Sequence, residues 1–171
     1  GLARIYSAMS LSKRLLSQKA DLVPVDSSFQ AQLDHADQEF DQAMDDDFNT
    51  ALALSKIFEV VRLFNKKVLP LTKITAEKVA LAEVFYHWIR SKGQLLALFQ
   101  ENPTKYLQVL DDMLLLQKGL KRYEVDQLVQ ERAEARQQKN FSRADEIRDQ
   151  LNTWGIAVQD LAGESSWEVA K

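Results

Sequence analysis

Cysteine is absent from the chain, which excludes disulfides and thiolate metal ligands and is consistent with a reducing compartment. Histidine is scarce: His35 and His87 stand far apart, without companions at ligand spacing. No apolar run reaches transmembrane length and no signal-peptide pattern marks the N-terminus, so a cytoplasmic location away from membranes is expected. Positive charge is not in surplus either. With 22 Lys and Arg against 25 Asp and Glu, the net charge of −3 argues against strong non-specific affinity for phosphate backbones. Repeats and low-complexity segments are also lacking.

What is present is an ordinary globular composition, 46% hydrophobic and 27% charged over 171 residues, enough for one domain with a small appendage. Apolar residues recurring at helical spacing predict a mainly α protein: a helical bundle over residues 1–118, then a small unit over 119–171. A monomer is expected. Residues 27–50 carry seven Asp and Glu with no Lys or Arg, whereas residues 51–110 carry nine Lys and Arg against four Glu. The acidic segment is therefore expected to pack beside the basic one within the bundle.

Residues 2–18 place Leu2, Ile5, Tyr6, Met9 and Leu16 near one helical face, and the abrupt start suggests a boundary set inside a longer protein. A linker with Pro24 leads to a second helix, 27–43, that buries Phe29, Leu33, Ala36, Phe40 and Ala43. The following MDDDFNT, residues 44–50, has three consecutive Asp that suggest a metal. Calcium loops need alternating oxygen ligands, a glycine and a distal Glu, none of which is in register, so no metal is assigned. Helix-start chemistry is predicted instead, with Asp47, Asn49 or Thr50 as the cap. The helix 50–68 is apolar on most of its circumference and belongs in the middle of the bundle. Pro70 breaks the chain. A long helix from Thr75 then turns Val79, Ala82, Phe85, Tyr86 and Ile89 inward, with Gly93 as an interruption. Pro103 opens another helical piece whose Leu107, Leu110, Leu114 and Leu115 close the bundle, and Gly119 is a hinge into the terminal unit.

Residues 131–167 read as two charged helices meeting near Lys139-Asn140, followed by a short antiparallel β-hairpin. Arg132, Arg136, Lys139 and Arg143 recur at four, three and four, one basic stripe if the helical phase holds through the turn. Ala144, Ile147, Leu151 and Trp154 form the buried stripe of the second helix, and Gly155 falls where a helix C′ residue with positive φ belongs. Ile156 and Val158, then Trp167 and Val169, flank polar residues, with Ala162-Gly163 as the turn. Residues 121–150 hold seven Lys and Arg against seven Asp and Glu, so there is no net positive field and spacing alone favours a solvated charged face.

The run AR-x-x-K-N-F-x-x-AD-x-IRD-x-L-x-x-x-GI-x-V-x-D…W resembles, without a gap over residues 131–167, the C-terminal end of bacterial-type cysteinyl-tRNA synthetases. MDDDFNT is a second point of resemblance, and a weaker one extends from Leu2 to Leu116. The resemblance implies a helical bundle of the class I synthetase anticodon-binding type, followed by an anticodon-recognition unit. It also implies docking of tRNA(Cys) and reading of its GCA anticodon, while an N-terminal catalytic domain of the same parent chain performs ATP-dependent cysteinylation. The family's HIGH-like and KMSKS-like signatures and its zinc site have no counterpart here. ATP, magnesium and zinc are thus implied for the parent, with no catalytic site and no cofactor in this region. Ser10-Leu11-Ser12-Lys13 is similar to the lysine-bearing ATP loop, but it lies in an amphipathic helix without flanking glycines and reads as surface.

Sequence-specific RNA recognition targets unpaired bases, stacking them and hydrogen-bonding their Watson–Crick edges. Guanine presents two adjacent N–H donors there and cytosine an amino donor, so a reader of such bases needs carboxylates among its cations. Asp145 and Asp160 beside Arg136 and Arg148 fit that need. The resemblance implies that Arg136 and Asp145 contact loop bases, that Phe141 stacks, and that Asp160 adds a second acid near the hairpin. Arg132, Lys139, Arg143 and Trp167 are left between RNA-backbone contact and structural roles, with hairpin packing the structural role of Trp167. Departures from the family pattern occur at Ala51-Leu52, where Pro-Glu is common, at Leu161, where a glycine often follows the acid, and at Glu168, where Arg is usual. Glu168 argues against backbone binding by that strand.

Two alternatives come from other classes. One is a free-standing helical paralogue used for protein–protein interaction, separable by the mass of the gene product, about 20 kDa rather than about 50 kDa or more. The other is a carboxylate metal enzyme on Asp45–Asp47, which metal analysis after dialysis tests.

Overall fold

The computed structural model describes residues 1–161 and 164–170. Its helices begin where polar side chains satisfy the exposed N–H groups of a first turn. The first, α1 (Leu2–Leu16), lacks such a cap. Asp26 accepts from Phe29 N–H at 2.7 Å to start α2 (Ser27–Asp45). Of the three cap candidates before α3 (Thr50–Val68), Asn49 takes the role, accepting from Leu52 N–H at 3.1 Å. Thr75 opens α4 (Ala76–Leu95). Asn102 accepts from the N–H groups of Thr104 and Lys105 to open α5 (Pro103–Gln117), with Pro103 at the first position, where its missing N–H costs nothing. Glu124 reaches back to Lys121 N–H at the head of α6 (Arg122–Gln137), and Asn140 caps α7 (Phe141–Thr153). Among the described residues, no helix is long and apolar enough to cross a membrane.

The chain divides into two units, Gly1–Tyr106 and Leu107–Lys171, so the division falls inside α5. In the first, α1 packs on α3 and α4, α2 on α3, and α3 on α4. Phe64 of α3 stacks on Phe85 of α4 with centroids 4.1 Å apart, and Tyr6 stacks on Tyr106 at 3.7 Å. The acidic α2 does face basic partners. Lys92 is buried within 2.8 Å of both Asp37 and Asp41, the Trp88 indole N–H donates to Asp37, and Lys56 reaches Glu39 at 2.8 Å. Burial alone would lower the Lys92 pKa; the two carboxylates outweigh it, and the net direction is upward.

Several details depart from the sequence reading. On α1 the buried leucine is Leu15, while Leu2 is about half exposed. Ser12 is also buried, its hydroxyl donating to the Ala8 and Met9 carbonyls, so Ser10–Lys13 is not a surface run throughout. Helix α3 is less enclosed than its composition suggests, with Leu52 exposed. Gly93 does not interrupt α4 but lies within it. The helix closes two residues later, with Ala97 at φ 53° and Leu98 N–H bonded to the Gly93 carbonyl at 2.7 Å.

In the second unit Leu115 packs with Val125, Val129, Ile147, Leu151, Ile156 and Val169, and Leu114 lies against that cluster. These leucines therefore serve the terminal core rather than closing the bundle. Gly119 is the left-handed residue that ends α5 (φ 69°). Helices α6 and α7 pack together and meet a two-stranded antiparallel sheet, β1 (Ile156–Leu161) with β2 (Glu164–Val169). Ile156 pairs with Val169, Val158 with Trp167, and Asp160 with Ser165. The expected turn at Ala162-Gly163 lies outside the described residues.

Gly155 joins α7 to β1 at φ 72°. A Cβ there would meet only the flexible end of Lys118, Nζ at 3.1 Å, so backbone strain decides the outcome rather than a clash. Gly155→Val is expected to destabilise the terminal unit by about 1 kcal/mol or more, because a β-branched residue resists positive φ. Thermal unfolding followed by circular dichroism checks this; an unchanged profile would mean that the turn relaxes at no cost.

Candidate nucleic-acid interface

On α6, Val125, Val129 and Arg132 recur at intervals of four and three, which puts an arginine on the stripe that faces the core. Arg132 is 7% exposed. Its guanidinium forks onto Asp160 of β1, Nη1 to Oδ1 and Nη2 to Oδ2, each at 2.9 Å. Arg136, one turn along and half exposed, donates a further bond to Asp160 Oδ2, and the Ser165 hydroxyl donates to Oδ1 at 2.8 Å. The hairpin thus lays one face on the helices: Ile156 and Val169 buried, Val158 and Trp167 partly buried, and Asp160 with Ser165 at the edge.

The Arg132 guanidinium, with help from Ser165 and Arg136, holds the Asp160 carboxyl down to about 2, although its partial burial pushes the other way. A carboxylate whose folded value lies below its ordinary 3.8 stabilises the fold fully above that value and loses the contribution as pH falls towards 2. Because the side chain is 37% exposed, solvent screening limits the effect to about 1 kcal/mol. Wild type and Asp160→Asn compared in urea should therefore differ at neutral pH and converge near pH 2. A difference independent of pH would show that the ion pair is not its source.

The basic stripe does not run through the turn. Lys139 adopts φ 59° and ends α6, with Asn140 N–H on the Ala135 carbonyl at 2.8 Å, so the helical phase is lost there. Arg132 points into the unit, and Arg143, beyond the turn, pairs with Glu131 at 2.9 Å and Glu146 at 3.1 Å. Phe141, the first residue of α7, is 62% exposed. Asp145 and Arg148 pair with each other at 3.1 Å, both largely exposed, and Arg148 also lies 3.6 Å from Asp149. The structure therefore gathers Arg132, Arg136 and Asp160 in one cluster and Asp145 with Arg148 in another. Asp145 adds to the field that raises the Arg132 pKa, behind the larger effect of Asp160.

Trp167 donates its indole N–H to Asp126 at 2.7 Å, and the Arg122 guanidinium lies 4.6 Å over its ring. A groove of about 440 Å³ between α6 and β2 is lined by Arg122, Asp126, Gln130, Ser165 and Trp167 among others. The sequence reading missed Arg122, Asp126 and Ser165. The four-residue spacing of Arg122 and Asp126 marks a shared helix face, but nothing local ties that face to Trp167. Among the described residues, no group of three or more His, Cys, Asp or Glu is placed to hold a metal ion.

The α-hairpin clasped by the β-ribbon carries cations, carboxylates and an exposed aromatic ring, the side-chain types with which proteins recognise single-stranded nucleic acid. Two family models match the chain: the DALR domain over residues 39–100, and the cysteinyl-tRNA ligase anticodon binding domain over 123–167. The chain is 39% identical over its whole length to the cysteine–tRNA ligase of Bdellovibrio bacteriovorus. It is 35% identical over 98% of its length to that of Nitratidesulfovibrio vulgaris, and 36% identical over 99% to that of a Geobacter species. It spans about 35% of the length of these relatives, corresponding to their C-terminal part. The chain thus carries a DALR domain and a cysteinyl-tRNA ligase anticodon-binding domain, and is similar along its length to the C-terminal part of cysteine–tRNA ligases.

Proposed function

We propose that this chain docks tRNA(Cys) and reads its GCA anticodon as the C-terminal region of a cytoplasmic cysteine–tRNA ligase. An N-terminal catalytic domain of the same polypeptide performs ATP-dependent cysteinylation. The observation that carries the reading is a coincidence of position: residues 123–167, matched by the anticodon-binding model, are those that assemble α6, α7 and the hairpin with its charged edge. In this reading Arg136, Asp145, Arg148 and Asp160 meet base edges and Phe141 stacks. Exposed Lys139 and partly exposed Arg143 meet the phosphate backbone. ATP, magnesium and zinc are assigned to the catalytic domain, and no step is assigned to a metal in this region; among the described residues no group of three or more His, Cys, Asp or Glu is placed to hold one.

With a net charge of −3, the isolated chain is expected to bind tRNA only at micromolar or weaker affinity at physiological salt. Asp145→Ala or Arg136→Ala should erase the preference for a GCA anticodon over a mutated one, costing about 1–3 kcal/mol with the cognate loop. Phe141→Ala should weaken both RNAs by about 1–3 kcal/mol and leave their ratio unchanged, since every base has a π-face. Removing the Arg143 charge should flatten the salt dependence without altering the ratio. Titrations at two salt concentrations decide. A wild-type ratio in Asp145→Ala would overturn base reading by α7.

A further inference from the structure

A carboxylate offers about four lone-pair positions, two on each oxygen, and at Asp160 all of them are engaged. Oδ1 accepts from Arg132 Nη1 and Ser165 Oγ; Oδ2 accepts from Arg132 Nη2 and Arg136 Nη1. The donors differ in how firmly they are held. The Arg132 side chain is 9% exposed and grips both oxygens, whereas that of Arg136 is 49% exposed and rests on one. Ser165 is a hydroxyl rotor that also lines the groove between α6 and β2. Arg132 Nε is buried without a protein partner. Leaving that donor unsatisfied carries a desolvation cost, and an apolar side chain at this point of the Val125–Val129 stripe would avoid it. The guanidinium therefore has a use beyond filling space.

A base edge with two adjacent N–H donors needs one lone pair on each carboxylate oxygen, and here none is free. We propose that Arg132 is a positioning residue that fixes Asp160 from the buried side, and that Arg136 and Ser165 are placeholders on the outward lone pairs until an RNA base displaces them. The inference rests on the reading of Asp160 as a base-contacting acid. Displacement frees the Arg136 guanidinium at the moment the base arrives, so engagement of Asp160 and engagement of Arg136 are one event.

The test titrates the 171-residue chain, at low salt, with synthetic anticodon stem-loops carrying GCA or ACA. Adenine in the first position lacks guanine's pair of adjacent donors. Ser165→Ala removes one placeholder without touching the buried grip, so affinity for the GCA loop should rise about two- to five-fold while the ACA loop is unaffected. A fall for both loops, or no change, overturns the placeholder assignment. Arg132→Gln should bring the GCA-to-ACA ratio towards one and raise the pH at which the Asp160 carboxyl carbon titrates by NMR. A retained ratio overturns the positioning role, and if Arg132→Gln does not fold, Ser165→Ala alone decides. Asp160→Asn separates the two levels. An intact preference in that variant defeats the base-reading role of Asp160 itself. A lost preference there, with wild-type behaviour in Ser165→Ala and Arg132→Gln, leaves that role standing and defeats the present inference.

Discussion

Gly93→Ala is expected to lower the unfolding free energy by about 2–3 kcal/mol. Helix propensity alone argues the opposite, since alanine is better than glycine inside a helix by about 1 kcal/mol. Sterics decide the sign. A Cβ at Gly93 would sit 2.7 Å from the Leu98 carbonyl oxygen and 2.9 Å from a Phe99 ring carbon. The nearer atom is backbone, in the segment that closes α4 through the bond from Leu98 N–H to the Gly93 carbonyl, so it cannot rotate away as a side chain would. Phe99 is itself buried, at 3% exposure. The urea midpoint of the variant, followed by helical circular dichroism, checks the expectation. A midpoint at or above wild type would show that the Leu98–Phe99 backbone yields and propensity wins.

A larger loss, about 3–5 kcal/mol, is expected for Phe64→Ala. Phe64 is fully buried and stacks on Phe85 nearly face to face, with an interplanar angle of 9°. Truncation removes both the transferred apolar area and the packing of one ring on the other, and the surrounding helices fill the hole only in part. Phe64→Leu retains most of the volume and should cost markedly less, which separates cavity formation from loss of the aromatic pair. If both variants lost the same amount, ring stacking rather than volume would be the dominant contribution.

Local chemistry made much of this fold readable in advance. The buried face of α2, that of α7 as far as Leu151 (Trp154 lies past the helix end and is only partly buried), the start of α3 within the candidates Asp47, Asn49 and Thr50, and the left-handed Gly155 each depend on residues close to each other in the chain. The hairpin, with Val158 and Trp167 among its alternating apolar positions, followed from alternation, and the structure pairs those two residues. Legibility failed where a residue's partner lies far along the chain. Leu115 has the same amphipathic setting whichever core it joins, and only the folded chain assigns it to the terminal cluster. The indole of Trp167 meets Asp126 41 positions away, and Asp160 meets Arg132 across 28. Arg132 is the instructive case. Grouped with the other cations it read as part of an exposed stripe, yet its spacing from Val125 and Val129 placed it on the buried face, and periodicity was the better guide.

The β-ribbon is fastened to its helices by two kinds of force. At the Ile156–Val169 end the attachment is apolar, a grip indifferent to dissolved ions; at the Asp160–Ser165 end it is electrostatic and more open to water. Counterions weaken the second without touching the first. The ribbon is thus a zipper with a fixed foot and a salt-tuned end, and fraying in hydrogen exchange should begin at Asp160 and Ser165. How readily that end loosens is set by the ionic medium as much as by the sequence.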